Sequence, residues 1–233
     1  MNSPDAETFA LPGGNAEVHW RRNARARCVS LRIDPCKGTV VVTLPPRAGR
    51  KAGVALLMTH AAWVSDRLAA LPSAVPFVDG AIIPIDGVPH HLRAMPQARR
   101  GVWLEDREVH VSGDVEFFRR RLLDFLRAEA RRRFTVLVAE KAKQAGLTFK
   151  RVTVKDTRSR WGSCAPDGAI SFSWRLLMAP PFVQDYVAAH EVAHLRHMNH
   201  GKRFWSMVTK LTPHTHEAMA WLRGEGARLL RIG

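Results

Sequence analysis

The chain has 233 residues, 46% apolar and 24% charged, with a formal net charge of +15. That length fits one large domain or two small ones with ample core, and the balance is that of a globular protein rather than a disordered or fibrous one. No apolar run reaches the eighteen or so residues of a membrane span, and the first residues lack the basic start and apolar segment of a secretory leader, so no membrane partner is expected. Three cysteines (Cys28, Cys36, Cys164) with no C-x-x-C exclude a disulfide framework and a cysteine-rich zinc knuckle. They point to a reduced, cytoplasmic protein. The basic charge leaves nucleic acid open as a partner, because cationic surface drives binding to phosphodiester chains.

In chain order, residues 1–15 are polar with Gly and Pro and are expected to be a flexible tail. Residues 16–112 read as a β-rich N-terminal part. Glu17–Trp20, Cys28–Ile33 and Thr39–Leu44 are strand-like, with Asp34-Pro35-Cys36-Lys37-Gly38 as a turn. Residues 47–71 are expected to be one helix, ended by Pro72. A second β segment follows. Ile82–Ile85 and Val88–Arg93 flank Asp86-Gly87, a hairpin signal, and Val102–Leu104 pairs with Val109–Val111. The two β segments show no sequence repeat.

Residues 113–233 read as the catalytic part. Val115–Ala145 is a long helix closed by Gly146, with Phe118, Leu122, Phe125, Phe134 and Leu137 inward and its arginine clusters in solvent. Strands are expected at Arg151–Lys155 and Ala169–Trp174, then a helix opened by Pro180-Pro181 and running to His197, then helices over 201–211 and 215–231. The fold class is α+β.

His190-Glu191-Val192-Ala193-His194 lies on the proline-opened helix, with His200 six residues further on. Residues four apart share one helix face, so the two imidazoles can reach one ion. Glu191 projects roughly 100° round the helix, beside the metal, where a carboxylate can take a proton from a bound water. For the third ligand, His197 lies a further turn along the helix. His200 can fold back because Gly201 follows it, and Glu217 competes from a later helix. Three protein ligands leave a fourth position open, as in catalytic rather than structural zinc sites. Thr157-Arg158-Ser159-Arg160-Trp161-Gly162-Ser163-Cys164 has no periodicity and is read as a loop at the rim of a substrate cleft. Arg160, Trp161, Ser163, Tyr186 and His214 are candidates for binding substrate or stabilising the transition state, with Arg158 and His216 behind them. Asp185 and Glu217 are candidates to orient a ligand histidine, and Cys164 is read as a small buried residue.

These residues carry a resemblance. Arg160-Trp161-Gly162-Ser163-Cys164, Ser173-Trp174-Arg175-Leu176, Asp185-Tyr186-Val187, the H-E-x-x-H stretch, His200 and Phe204-Trp205 resemble the YgjP-like metallopeptidase family, related to the SprT-like and WLM zinc proteases. Val29–Arg32, Val40–Val42 and Trp63-Val64 are similar to that family's earlier parts. The chain departs from it at Ser173, where asparagine is usual, and at His214, where an acidic residue is common. The resemblance implies a zincin-like fold, Zn2+ held by His190, His194 and His200, and Glu191 as the catalytic residue.

Three functions follow as expectations. The first is a zinc metallopeptidase acting on a peptide or protein. The second is a metal-dependent phosphohydrolase using arginines as anion clamps. The third is a basic nucleic-acid-binding module or, by analogy with the SprT-like relatives, a DNA-associated protease.

Overall fold

The computed structural model describes residues 6–233, and these divide into two compact units, 6–73 and 74–233. The first five residues of the expected flexible tail lie outside the described residues; the remainder is not a tail. Ala6–Leu11 forms β1, paired antiparallel with β2 (Gly14–Arg22). Composition hid this strand, because an edge strand needs only alternate apolar side chains. Phe9 packs against Trp20 with ring centroids 6.1 Å apart, and Trp20 Nε1 donates to Glu7 at 3.2 Å.

β3 (Ser30–Asp34) and β4 (Thr39–Leu44) complete a four-stranded sheet of order β1-β2-β4-β3, in which β2 and β4 run parallel. The helix expected over 47–71 is two helices, α1 (Arg50–Thr59) and α2 (Ala61–Ala69), broken at His60. Trp20, Val42 and Leu44 crowd Gly53 so closely that a Cβ there would collide with the Trp20 ring. The first unit has its own core of Ala16, Val18, Trp20, Val40, Val42, Leu44, Leu57 and Val64.

The second unit opens with β5 (Ile82–Ile85), β6 (Val88–Met95), β7 (Val102–Glu105) and β8 (Glu108–Ser112). Their order is β5-β6-β8-β7, with β6 and β8 parallel. This sheet shares its core with the residues that follow, so the compact boundary lies at Ser73/Ala74 and not at 112/113. α3 (Phe118–Ala145) follows a short 3-10 turn and ends at Gly146, whose φ of 63° suits a residue without a Cβ. Its fully buried positions are Phe118, Leu122, Leu126, Ala130, Phe134, Val138 and Ala142, a ridge of four-residue steps.

Against α3 lies a three-stranded sheet of order β10-β11-β9, with β9 at Arg151–Lys155, β10 at Gly162–Cys164 and β11 at Ala169–Ser173. The end of the expected rim loop is therefore a strand. β10 pairs antiparallel with β11 and forms the sheet edge. A buried 3-10 segment, Trp174–Met178, leads to α4 (Pro181–His194), with Pro181 in the first turn, where its missing N–H leaves no bond unmade. α4 stops at His194, three residues before the expected His197. α5 (Lys202–Leu211) and α6 (Thr215–Leu229) close the chain. The architecture is mixed α+β, and no helix among the described residues is long and apolar enough to cross a membrane.

The turn between β5 and β6 braces α4 and the segment before it. The Asp86 and Gly87 N–H groups donate to the carbonyls of Leu177 and Met178, each at 3.0 Å. The Asp86 carboxylate accepts from Arg133 and, at 2.8 Å, from Gln184 of α4. Asp86 holds a φ of 56°, and Gly87, at 76°, sits where a Cβ would press on Pro180.

Candidate active site

α4 is almost wholly interior. Val183, Tyr186, Val187, Ala188, Ala189, Val192 and Ala193 are buried, so its axis is held from several sides. From this rod His190 and His194 project on one face, half-buried, and the turn after α4 brings the exposed His200 back to them. One ring nitrogen from each of the three lies within 4.8 Å of the others. His190 Nε2 and His200 Nε2 are 3.2 Å apart. Ligands about 2.1 Å from a tetrahedral ion sit about 3.4 Å from one another, so this spacing fits one small cation.

The tautomer of His194 follows from its surroundings. Its Nδ1 is 3.0 Å from the carbonyl of His197, which can only accept, so Nδ1 carries the proton and Nε2 carries the lone pair. Burial, reinforced by His194 and His200, holds His190 down to about 4, and burial also lowers His194. Both are therefore neutral donors at ordinary pH. Three imidazole nitrogens suit zinc and related transition ions better than calcium or magnesium, which prefer oxygen. His190 Nδ1 is buried without a hydrogen-bond partner.

Phe204 forms the floor. Its fully buried ring lies 4.9, 4.6 and 4.7 Å from the rings of His190, His194 and His200, and Trp205 stands 5.9 Å from His200, nearly parallel to it. The sequence signal for this floor was the aromatic pair opening a helix just after His200, visible as part of the resemblance but without a role.

Glu191 is 4% exposed, and its Oε2 has no hydrogen-bond partner. Burial pushes this carboxyl up to about 8, partly opposed by the charge of Arg160. Of the other sequence candidates, the structure brings two toward the triad. Tyr186 is buried one turn before His190, rings 5.9 Å apart, its phenol raised by burial and by Glu191. Arg160 is exposed and acts on Glu191 through its charge.

Trp161 is half-buried and rests on Gly226 of α6. Ser163 is half-buried on β10, opposite Ser171. His214 stands at the start of α6 against Phe182, with Glu217 3.9 Å away, and makes no contact with the triad.

Glu217 falls outside the three-residue group and is 67% exposed. Asp185 pairs with Lys141 at 2.6 Å instead of orienting a ligand. The orienting group for His194 is the backbone carbonyl of His197, which no side-chain pattern could reveal. Cys164 is half-buried rather than buried, and burial, with Glu191 and Asp167, lifts its thiol to about 11, which rules out a resting thiolate.

No curated protein and no solved structure gives a match to this chain. The model of the YgjP-like family, described as its metallopeptidase domain, matches residues 27–225, which takes in β3 to the greater part of α6 and every residue of the site. With three histidines grouped so that they could hold a metal ion, and that match covering most of its length, the chain belongs to the YgjP-like family of metallopeptidase domains.

Proposed function

We propose that the protein is a zinc-dependent metallopeptidase in which His190, His194 and His200 hold the ion and Glu191 is the general base. The observation that carries this reading is the convergence of three imidazole nitrogens beside a buried carboxylate oxygen that has no partner of its own. An unpartnered buried polar atom is costly, and a reacting water is the partner this one lacks. A zinc ion, when bound, supplies Lewis acidity that eases deprotonation of a water and polarises the scissile carbonyl.

Glu191 accepts the water's proton as the oxygen attacks the carbonyl carbon, then delivers a proton to the amine nitrogen as the C–N bond breaks. Burial keeps the carboxylate poorly solvated and hence basic, and the Arg160 charge offsets only part of that rise. His197 contributes through its carbonyl, which holds the His194 ring in the ligating tautomer. Phe204 and the buried face of α4 exclude water from beneath the triad.

Glu191→Gln tests the mechanism. Hydrolysis of a quenched-fluorescent peptide library should fall by roughly 10²–10⁴-fold, with zinc content by mass spectrometry unchanged; retained hydrolysis defeats it. His200→Ala should lower zinc affinity, and an unaltered affinity would send the third-ligand role elsewhere.

A second reading, phosphate-ester hydrolysis at the same centre, draws support from a hollow of about 680 Å³ lined by Arg151, Lys155, Arg160 and Ser163. Turnover of nucleotides, abolished by chelator, with none of peptides would favour it.

A further inference from the structure

Gly162 is the first residue of β10, paired with Phe172, in backbone that any residue could adopt, since its φ is not positive. Glycine loses more freedom on folding than any other residue and offers no side chain to pack. Nothing in the turn chemistry of the neighbourhood calls for it. What calls for it is Glu191. A Cβ on Gly162 would lie 2.6 Å from Glu191 Cγ and 2.7 Å from Cδ, and nearer still to Oε1. We infer that Gly162 is a positioning residue whose missing side chain admits the Glu191 carboxylate against the β10 backbone and so fixes where the base stands.

The β10 backbone cannot retreat. β10 is held to β11 by its register and by the Ser173 N–H bond to the Trp161 carbonyl at 2.8 Å. β11 is held in turn by Phe172, fully buried and stacked on Phe134 at 4.8 Å. Immediately before β10 the chain makes a second close approach. The Trp161 indole lies over Gly226, where a Cβ would come within 3.2 Å of Cζ2. Gly226 is itself buried inside α6, where glycine disfavours the helix by about 1 kcal/mol relative to alanine. Two glycines thus allow close approaches here, Gly162 to Glu191 of α4 and Gly226 of α6 to Trp161. Since α4 is buried nearly all round, any side chain added at 162 must push the carboxylate itself.

The positioning role rests on reading Glu191 as the base, but its test does not depend on turnover. Full-length Gly162→Ala, Glu191→Ala and the double variant form a thermal-denaturation cycle. Gly162→Ala should lower the melting temperature by roughly 3–10 °C, as overpacking of a buried site does. Adding Glu191→Ala should restore it, because the colliding atoms are then gone. In a crystal structure of Gly162→Ala the Glu191 Cδ should move by at least 0.7 Å, the difference between 2.7 Å and an ordinary contact at 3.4 Å, while the triad keeps its metal affinity within a few-fold.

If Gly162→Ala does not fold, the double variant must. Independent effects in the cycle overturn the inference, as does an unmoved Glu191 with β10 displaced. A double variant that also fails to fold, or loss of metal from Gly162→Ala, overturns it equally. Failure of the Glu191→Gln test with a positive cycle would leave Gly162 positioning a carboxylate that is not the base.

Discussion

The two four-stranded sheets, β1-β2-β4-β3 and β5-β6-β8-β7, have one topology between them. Each is two antiparallel hairpins joined by a parallel pair of inner strands, and each is followed by helix. Their sequences show no repeat, yet the strand order and pairing match strand for strand. Their uses differ. The first sheet closes its apolar face over α1 and α2 and is complete as a small core. The second leaves Ile83, Ile85, Leu92, Val109 and Val111 to merge with the core of α3 and α4, and its turn reaches the segment that starts the histidine helix. One arrangement of strands thus serves once as a self-sufficient unit and once as a brace for a site. Local pairing does not decide which, because the difference lies in where the buried face finds its partner.

The strongest way to break this comparison is a matched pair of core truncations. Leu57 in the first unit and Leu92 in the second are both fully buried. Each change to alanine should cost about 2–5 kcal/mol in urea unfolding. Only Leu92→Ala should also weaken metal binding, by several-fold in a competition titration. An equal loss of metal affinity from Leu57→Ala would mean that the first sheet is no more self-contained than the second.

A smaller effect sharpens the bracing role. Asp86→Ala removes the acceptor for Arg133 and Gln184 and places alanine at a φ of 56°, so it should destabilise by about 1–3 kcal/mol. Asp86→Asn tolerates that backbone and should cost less. Equal costs for the two changes would show that the carboxylate bonds, not the turn backbone, carry the brace.

The least effect concerns pH. Burial pushes Asp156 up, but the Arg175 hydrogen bond and charge, with a bond from Trp174, outweigh it and hold the carboxyl below its usual range. A carboxyl lowered in the folded state stabilises above its unfolded pKa, and that contribution is lost as pH falls through the folded value. The second unit should therefore melt slightly earlier on acidification, and Asp156→Asn should flatten that part of the profile. The effect is small because Asp156 is 46% exposed. Melting curves between pH 2 and 5 would check it, an unchanged slope in the variant removing the ion pair from the account.

Much of this could be read from residue order alone. Apolar periodicity marked α3 with its Gly146 stop, the Asp86-Gly87 hairpin and the proline-opened α4. Helical spacing placed His190 and His194 on one face with Glu191 beside them. The return of His200 was legible too, since the helix had to end near Gly201. These are short-range consequences of backbone geometry, carried by a few neighbouring residues.

What the tertiary structure alone decided depends on contacts between distant residues. Whether residues 82–112 stood with the first sheet or with the histidine helix turned on which apolar face met α3. That β10 was a strand and not a rim loop depended on β11 offering its edge. The carbonyl that orients His194 belongs to every residue alike and leaves no mark in a sequence. Glu191 shows the division most plainly. Its place on the helix followed from counting, but its burial, its missing partner and the glycine opposite it exist only once β10 lies across α4.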